Sequence, residues 1–131
     1  MKKSVKLNNF AMGYLEAAFF TGEISNKTIL DIEDTILVQV KKDCREFEKN
    51  NSELLKNSYK TKGYNASLAG RDFWLTRNGH GAGFCRGLKG IGEVLTQHSK
   101  TTGESQIYIS DDGKVYFTNL PCHRNQMKFN F

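Results

Sequence analysis

The chain has 131 residues, of which 38% are apolar, 11% aromatic and 25% charged, and its formal net charge is +5. That length suits one domain with a core that needs no metal or disulfide staples, and the composition excludes an intrinsically disordered chain. Three widely spaced cysteines and the lack of a long apolar run exclude a disulfide-rich secreted domain and a membrane partner, and predict a cytoplasmic protein. The positive charge favours a partner that carries phosphate.

The first predicted helix is apolar on almost every side. Residues 10–20, FAMGYLEAAFF, follow Asn8, which can cap a helix, and precede a stop at residues 21–22. Such a helix must be buried on more than one side, under the rest of the domain or against a second subunit. The sequence therefore predicts a homo-oligomer, either a dimer or a dimer-based assembly.

A second helix begins near Thr28 or Asp34 and runs to about Lys49, with one apolar face and one charged face. A short link would place it antiparallel to the first helix. Residues 52–56 add a turn of helix, and the polar residues 57–65 are the only candidate boundary in the chain.

The second half of the chain predicts strands. Residues 72–76 alternate like a strand, Asn78-Gly79 is typical of a tight hairpin turn, and residues 106–118 form a hairpin that turns at Asp112-Gly113. Residues 91–100 predict a short helix, closed by Gly103.

These elements make one α+β domain over residues 1–131, with two antiparallel N-terminal helices followed by a small antiparallel β-sheet and one short helix. The helical part covers about residues 8–58 and the sheet part about residues 66–131.

Residues 71–92 are the best candidate for a ligand site. They hold six of the 12 glycines, the only tryptophan and three of the five arginines. One interpretation is a plain hairpin followed by a helix entry; the other is a surface whose arginines bind phosphate and whose aromatics stack a base. On a strand Phe73 and Trp74 would point to opposite faces, one to the core and one to a ligand. The candidate ligand-binding residues are Arg71, Phe73, Trp74, Arg77, Asn78, His80, Phe84, Arg86 and Arg124.

Other kinds of site fit the sequence poorly. The glycine spacing matches neither a dinucleotide loop nor a P-loop, although helix amides after Gly90 could still hold a phosphate oxygen. The residues His80, Cys85, Cys122 and His123 lack the spacing of a compact zinc site. Cys85 with His80 has no visible group to orient a base. The sequence therefore predicts a binding protein with no cofactor, no metal and no catalytic residue. Arg124 would close over the ligand, from the same or from a neighbouring subunit.

The segment RDFWLTRNGHGAGFCRG, followed by a helix and SDDGKVY, resembles a family of small phage and prophage proteins, the Thoeris anti-defence family of nucleotide sponges. The match is close in the C-terminal part and looser in the two-helix start. One departure is Phe84-Cys85-Arg86, where the family pattern reads Phe-Trp-Asp-Arg.

The resemblance implies a phage-encoded protein that sequesters a cyclic nucleotide immune signal without cleaving it, in the cytoplasm of the infected bacterium. The signal would be of the glycocyclic ADP-ribose type, made by a TIR-domain enzyme, or a cyclic oligonucleotide. Oligomers with ligand sites between subunits are also implied. The alternative is a nucleic-acid-binding protein, or an inhibitor of a nucleic-acid-handling defence complex, that uses the same basic and aromatic surface.

Overall fold

The computed structural model describes residues 6–80, 84 and 88–121. It confirms the α+β class: helices predominate, and a two-stranded antiparallel sheet follows them. In chain order the elements are α1 (Asn9–Thr21), a 3₁₀ turn (Ile29–Asp31), α2 (Asp34–Asn50), α3 (Ser52–Ser58), α4 (Ala66–Arg77), α5 (Lys89–Thr101), β1 (Ile107–Ile109) and β2 (Val115–Phe117). In these ranges, no helix combines the length and the apolar character needed to cross a membrane.

Helix α1 begins as predicted. The Asn8 side chain accepts a hydrogen bond from the Ala11 backbone N–H over 2.9 Å, which satisfies one of the amides left open at a helix start. Three successive residues, Gly13, Tyr14 and Leu15, point in different directions around the helix and all are buried. The rest of the domain therefore covers most of α1.

The end of α1 departs from the glycine rule. The Ile24 N–H donates to the Phe19 carbonyl and the Glu23 N–H donates to the Phe20 carbonyl, the two bonds of a Schellman cap. The left-handed position of that cap is Glu23, with φ of 56°, whereas Gly22 keeps a helical φ of −81°. Glu23 thus holds a conformation that favours glycine.

We expect Glu23→Gly to raise the free energy of unfolding by about 1 kcal/mol, because it removes the steric cost of a left-handed side chain. Urea unfolding followed by circular dichroism measures the change. The matched control is Glu23→Ala, which loses the same carboxylate but keeps the Cβ and should leave stability nearly unchanged. An equal gain in both variants would assign the effect to charge and contradict the conformational argument.

Both predicted starts of the second helix are used. Thr28 and Asp31 form a capping box around the 3₁₀ turn: the Asp31 carboxylate accepts from the Thr28 N–H over 2.7 Å. Helix α2 then starts at Asp34, and the Glu33 side chain accepts from the Ile36 N–H over 3.1 Å. Leu37 is the first buried residue of α2 and belongs to the apolar face that the spacing predicts.

The predicted strand at residues 72–76 is wrong, because this segment lies inside helix α4. The Asn65 side chain caps α4 by accepting from the Leu68 N–H over 3.0 Å. Ala69, Phe73 and Arg77 then recur at the spacing of four that one helix face requires, and all three are buried. Five alternating residues were too short a window to exclude a helix.

The predicted hairpin turn at Asn78-Gly79 is also wrong. Asn78 is the C-cap of α4, and Gly79 takes the left-handed position with φ of 73°. The His80 N–H donates to the Leu75 carbonyl over 2.8 Å and the Gly79 N–H donates to the Thr76 carbonyl, so this is a second Schellman cap. A hairpin turn and a Schellman cap both need a residue with positive φ, so Asn78-Gly79 is compatible with either of them.

The later elements follow the prediction. Helix α5 ends in a turn at Gly103, whose φ is 79°. In the sheet Tyr108 pairs with Tyr116, and Gly113 has a φ of 81° in the connecting turn. Glu33 ties the sheet to the start of α2 by donating its N–H to the Val115 carbonyl over 3.1 Å.

One core joins the two halves of the chain across the predicted boundary at residues 57–65. Its centre is a set of aromatic rings in which Phe47 stacks on Phe73 with 4.1 Å between centroids. Tyr64, within the predicted boundary, donates its hydroxyl to the Asp72 carboxylate over 2.7 Å.

The closest helix contact is between α1 and α4, where two glycines bring the backbones together. A Cβ on Gly13 would lie 1.9 Å from the Ser67 carbonyl oxygen, and one on Gly70 would lie 1.8 Å from the Phe10 carbonyl oxygen. Neither position has room for any side chain. The two glycines therefore set the distance between these helices.

Candidate functional site

A surface groove of about 420 Å³ runs between α1 and α4, beside this close crossing. We call it the α1/α4 groove. It is lined by Gly13, Glu16, Ala17, Phe20 and Thr21 of α1 and by Ser67, Leu68, Arg71 and Leu75 of α4. Its volume falls within the roughly 300–1,000 Å³ of pockets that hold small molecules.

Charged and aromatic groups stand open in the groove. The Phe20 side chain, in the last turn of α1, is 81% exposed. Arg71 and Glu16 form no ion pair or hydrogen bond with any residue that the structure describes. The groove therefore offers one cation, one carboxylate and one aromatic face to a ligand.

Trp74 is buried and contacts the residues of the groove through a hydrogen bond to Thr21. Its indole Nε1–H donates to the Thr21 hydroxyl oxygen over 2.9 Å, and that hydroxyl donates to the Ala18 carbonyl over 3.3 Å. This chain of bonds fixes the Thr21 wall of the groove. Trp74 thus acts on the site through Thr21 and has no open face of its own, since it is 2% exposed.

The structure places the other two predicted stacking aromatics in the core. Phe73 and Phe84 have no exposed surface, and both lie against the Phe47 ring, with centroids 4.1 Å and 6.0 Å away. The prediction that Phe73 and Trp74 point to opposite faces is wrong, because on helix α4 both contribute to the core. Their rings are already occupied by other rings of the chain.

Arg77 also points inward, and its guanidinium joins four parts of the chain. Nη1 donates to the Asp43 carboxylate over 2.8 Å and to the Tyr14 hydroxyl oxygen over 3.0 Å. Nε donates to the Gly103 carbonyl over 2.8 Å, and Nη2 donates to the Thr102 carbonyl over 3.3 Å. These bonds link α4 to α2, to α1 and to the start of the α5–β1 connection.

The electrostatics of this cluster keep Arg77 charged. Burial alone would lower the pKa of Arg77, but Tyr14 and Asp43 outweigh burial and raise it. Burial has the opposite effect on Tyr14 and raises its pKa, so the Tyr14 hydroxyl stays protonated. The guanidinium lies 5.3 Å from the centroid of the Phe73 ring, which adds a cation–π contact. In this structure the positive charge of Arg77 is balanced inside the protein.

Asn78 binds the same connection as Arg77. Its side-chain oxygen accepts from the Ser105 N–H over 2.9 Å and its Nδ2 donates to the Trp74 carbonyl over 3.0 Å. His80 is exposed just beyond the cap of α4 and does not line the α1/α4 groove. Of the predicted ligand-binding residues that the structure describes, only Arg71 lines this groove.

Sequence reasoning missed Phe20, Glu16 and Thr21. The sequence did carry a signal for Phe20. It is the last aromatic residue of a predicted helix that is apolar on almost every side, so little of the helix follows it to cover its ring. No sequence signal marked Glu16, because a single acidic residue on a helix is usually only solvated. The predicted residues Arg86 and Arg124, and the cysteines and histidine at 85, 122 and 123, lie outside the described residues.

Comparisons with protein-family models, with curated proteins and with solved structures find no significant match to this chain.

Proposed function

We propose that this protein binds a small cyclic nucleotide immune signal and sequesters it without cleaving it. The ligand class is the glycocyclic ADP-ribose type, with cyclic oligonucleotides as the nearest relatives in chemistry. On this proposal the protein is phage-encoded and acts in the cytoplasm of the infected bacterium, where it keeps the signal from its effector.

The observation that carries the proposal is the position of Arg71. This residue opens the segment that resembles the anti-defence family, and its side chain lines the α1/α4 groove with no partner among the residues that the structure describes. A guanidinium with free donors is suited to phosphate oxygens.

Each open group of the groove has a counterpart in a nucleotide. Arg71 would bind a phosphate, Phe20 would stack a base, and the Glu16 carboxylate would accept from ribose hydroxyls or a base amino group. Leu68 and Leu75 supply apolar surface at the rim. Arg77, Phe73, Trp74 and Phe84 then support the fold on which the groove stands, in place of the direct contacts that the sequence predicts for them.

The proposal includes a homo-oligomer. Phe20, which lines the groove and is 81% exposed, supports a second copy close to the bound ligand, because removing a large aromatic side chain from water is favourable. Sedimentation velocity of the free chain tests this part.

The direct test is capture and release. The purified chain is incubated with products of a TIR-domain enzyme, freed of excess small molecules, denatured by heat, and the released compounds are identified by mass spectrometry. Release of an intact cyclic nucleotide is expected. Release of a chemically altered product would replace the sponge by an enzyme, and release of nothing from several signal classes would overturn the proposal.

We expect Arg71→Ala and Phe20→Ala each to lower the affinity for the captured nucleotide by about tenfold or more, because each removes a charge-assisted or stacking contact. Isothermal titration measures the change. Both side chains are exposed, so stability should stay within about 0.5 kcal/mol.

The matched controls are Lys62→Ala and Val38→Ala, an exposed cation and an exposed apolar side chain away from the groove. Unchanged capture in both groove variants would place the site elsewhere even if the protein is a sponge. A steep fall of affinity with salt, as for many phosphate contacts, would favour the nucleic-acid-binding alternative.

A further inference from the structure

A second concave site lies at the junction of α1 and α2, and it is strongly basic. We call it the α1/α2 recess. It has a volume of about 200 Å³ and is lined by Lys6, Leu7, Asn8, Ala11, Lys41, Cys44, Arg45 and Glu48. Three of these residues are cations and one is an acid, so two positive charges are in excess.

In the part of the chain that the structure describes, no carboxylate pairs with the cations of the recess. Within residues 6–80, 84 and 88–121, Lys6, Lys41 and Arg45 form no ion pair. The one acid in the recess, Glu48, accepts instead from the Asn8 Nδ2 over 3.0 Å. The three cations therefore keep their donors open.

The spacing of two of these cations does not by itself favour helix α2. Lys41 and Arg45 are four residues apart on α2, and like charges at that spacing destabilise a helix by about 0.2–0.5 kcal/mol. Burial raises the pKa of the Cys44 thiol well above its usual range, so this residue contributes no charge to the recess. An anion between the three cations would remove the repulsion.

The size of the recess limits what enters it. Its volume is below the roughly 300–1,000 Å³ of pockets that enclose whole small molecules. It suits one or two phosphate groups, whose oxygens accept charge-assisted hydrogen bonds from lysine and arginine side chains.

We infer that the α1/α2 recess binds one or two phosphate groups of a ligand, held by Lys6, Lys41 and Arg45, while the remainder of the ligand stays outside. This site is separate from the α1/α4 groove and does not depend on the function proposed for it. The phosphate groups come either from a small phosphorylated molecule or from a nucleic-acid backbone.

Inorganic pyrophosphate is the probe, titrated calorimetrically into the full chain at low ionic strength. The test variant is Lys6→Gln/Lys41→Gln/Arg45→Gln. Its control is Lys56→Gln/Lys60→Gln/Lys62→Gln, which removes the same charge from residues outside the recess. We expect the affinity to fall at least about tenfold in the recess variant and less than about twofold in the control.

Two further measurements keep the result decisive. If the recess variant fails to fold by circular dichroism, amide shifts of the unaltered chain decide: pyrophosphate should move the signals of Asn8 and Arg45 before those of Lys60. An oligothymidylate that displaces pyrophosphate identifies a nucleic-acid backbone, and failure to displace it identifies a small molecule; both keep the inference. Equal losses in the two triple variants, or no pyrophosphate binding by the unaltered chain, would overturn it.

Discussion

Replacing Arg77 with methionine should lower the free energy of unfolding by about 3–5 kcal/mol, the usual cost of removing one partner from a buried ion pair. Asp43 is 2% exposed and would keep its carboxylate in the core without the guanidinium. The carbonyls of Thr102 and Gly103 would lose the same donor. Urea unfolding followed by circular dichroism measures the loss, which is a large part of the roughly 5–15 kcal/mol that stabilises a typical domain.

The control for this experiment is Lys42→Met, which also replaces a cation by methionine but at an exposed position of α2, and it should change stability by no more than about 0.5 kcal/mol. The comparison separates two roles for Arg77. If Arg77→Met were as stable as the unaltered chain and lost only nucleotide capture, the arginine would be a ligand contact, as the sequence predicts, and the buried cluster would be unimportant.

Replacing Gly70 with alanine should lower the free energy of unfolding by about 3 kcal/mol. This is at or above the upper end of the usual cost of overpacking a core. The added Cβ would lie 1.8 Å from the Phe10 carbonyl oxygen. That oxygen belongs to the backbone of α1 and cannot rotate away, so α1 and α4 must separate. A lower midpoint of thermal unfolding, with a loosened α1/α4 groove, is the expected observation.

Gly90→Ala is the matched control, since it makes the same substitution near the start of α5. A Cβ there meets nothing within 4 Å, and Gly90 has no positive φ. Alanine is the better helix former, so stability should stay unchanged or rise by up to about 1 kcal/mol. Equal behaviour of the two variants would contradict the close crossing.

The parts of the fold that were predictable are those in which local chemistry and burial agree. Helix α1 has a capping asparagine and a long apolar run, and both persist in the structure. The hairpin has two alternating strands around Asp112-Gly113, with Val115 and Phe117 buried and Tyr116 half-buried between them. In each case a capping or turn residue agrees with the apolar pattern beside it.

Helix α4 could not be predicted in this way, because its helical character depends on contacts distant in sequence. Asp72, Thr76 and Arg77 are polar residues on buried faces, which breaks the simple apolar pattern of a helix. Arg77 is tolerated there because Asp43, 34 residues earlier in the chain, lies opposite it. Only the three-dimensional structure brings these charges together.

The candidate site was also predictable only in part, because it depends on contacts distant in sequence. The sequence predicts Arg71 as a ligand contact because arginine next to aromatics and glycines is typical of a ligand surface. That contact stays a prediction, and in the structure Arg71 lines the groove. The aromatics beside it were assigned to the ligand because a strand would expose one of them, whereas a helix buries both. Phe20 and Glu16 reach the groove only because Gly13 and Gly70 let α1 and α4 cross closely.

The connection between α5 and β1, residues 102–105, has no regular secondary structure, yet side chains from elsewhere hold almost every peptide in it. Besides Arg77 and Asn78, Asn119 donates to the Thr102 and Glu104 carbonyls, each over 2.9 Å. A two-stranded hairpin of three residues per strand is not stable by itself in water. The hairpin therefore depends on the helices for its stability through these side chains, and we expect the described part of the chain to unfold as one cooperative unit.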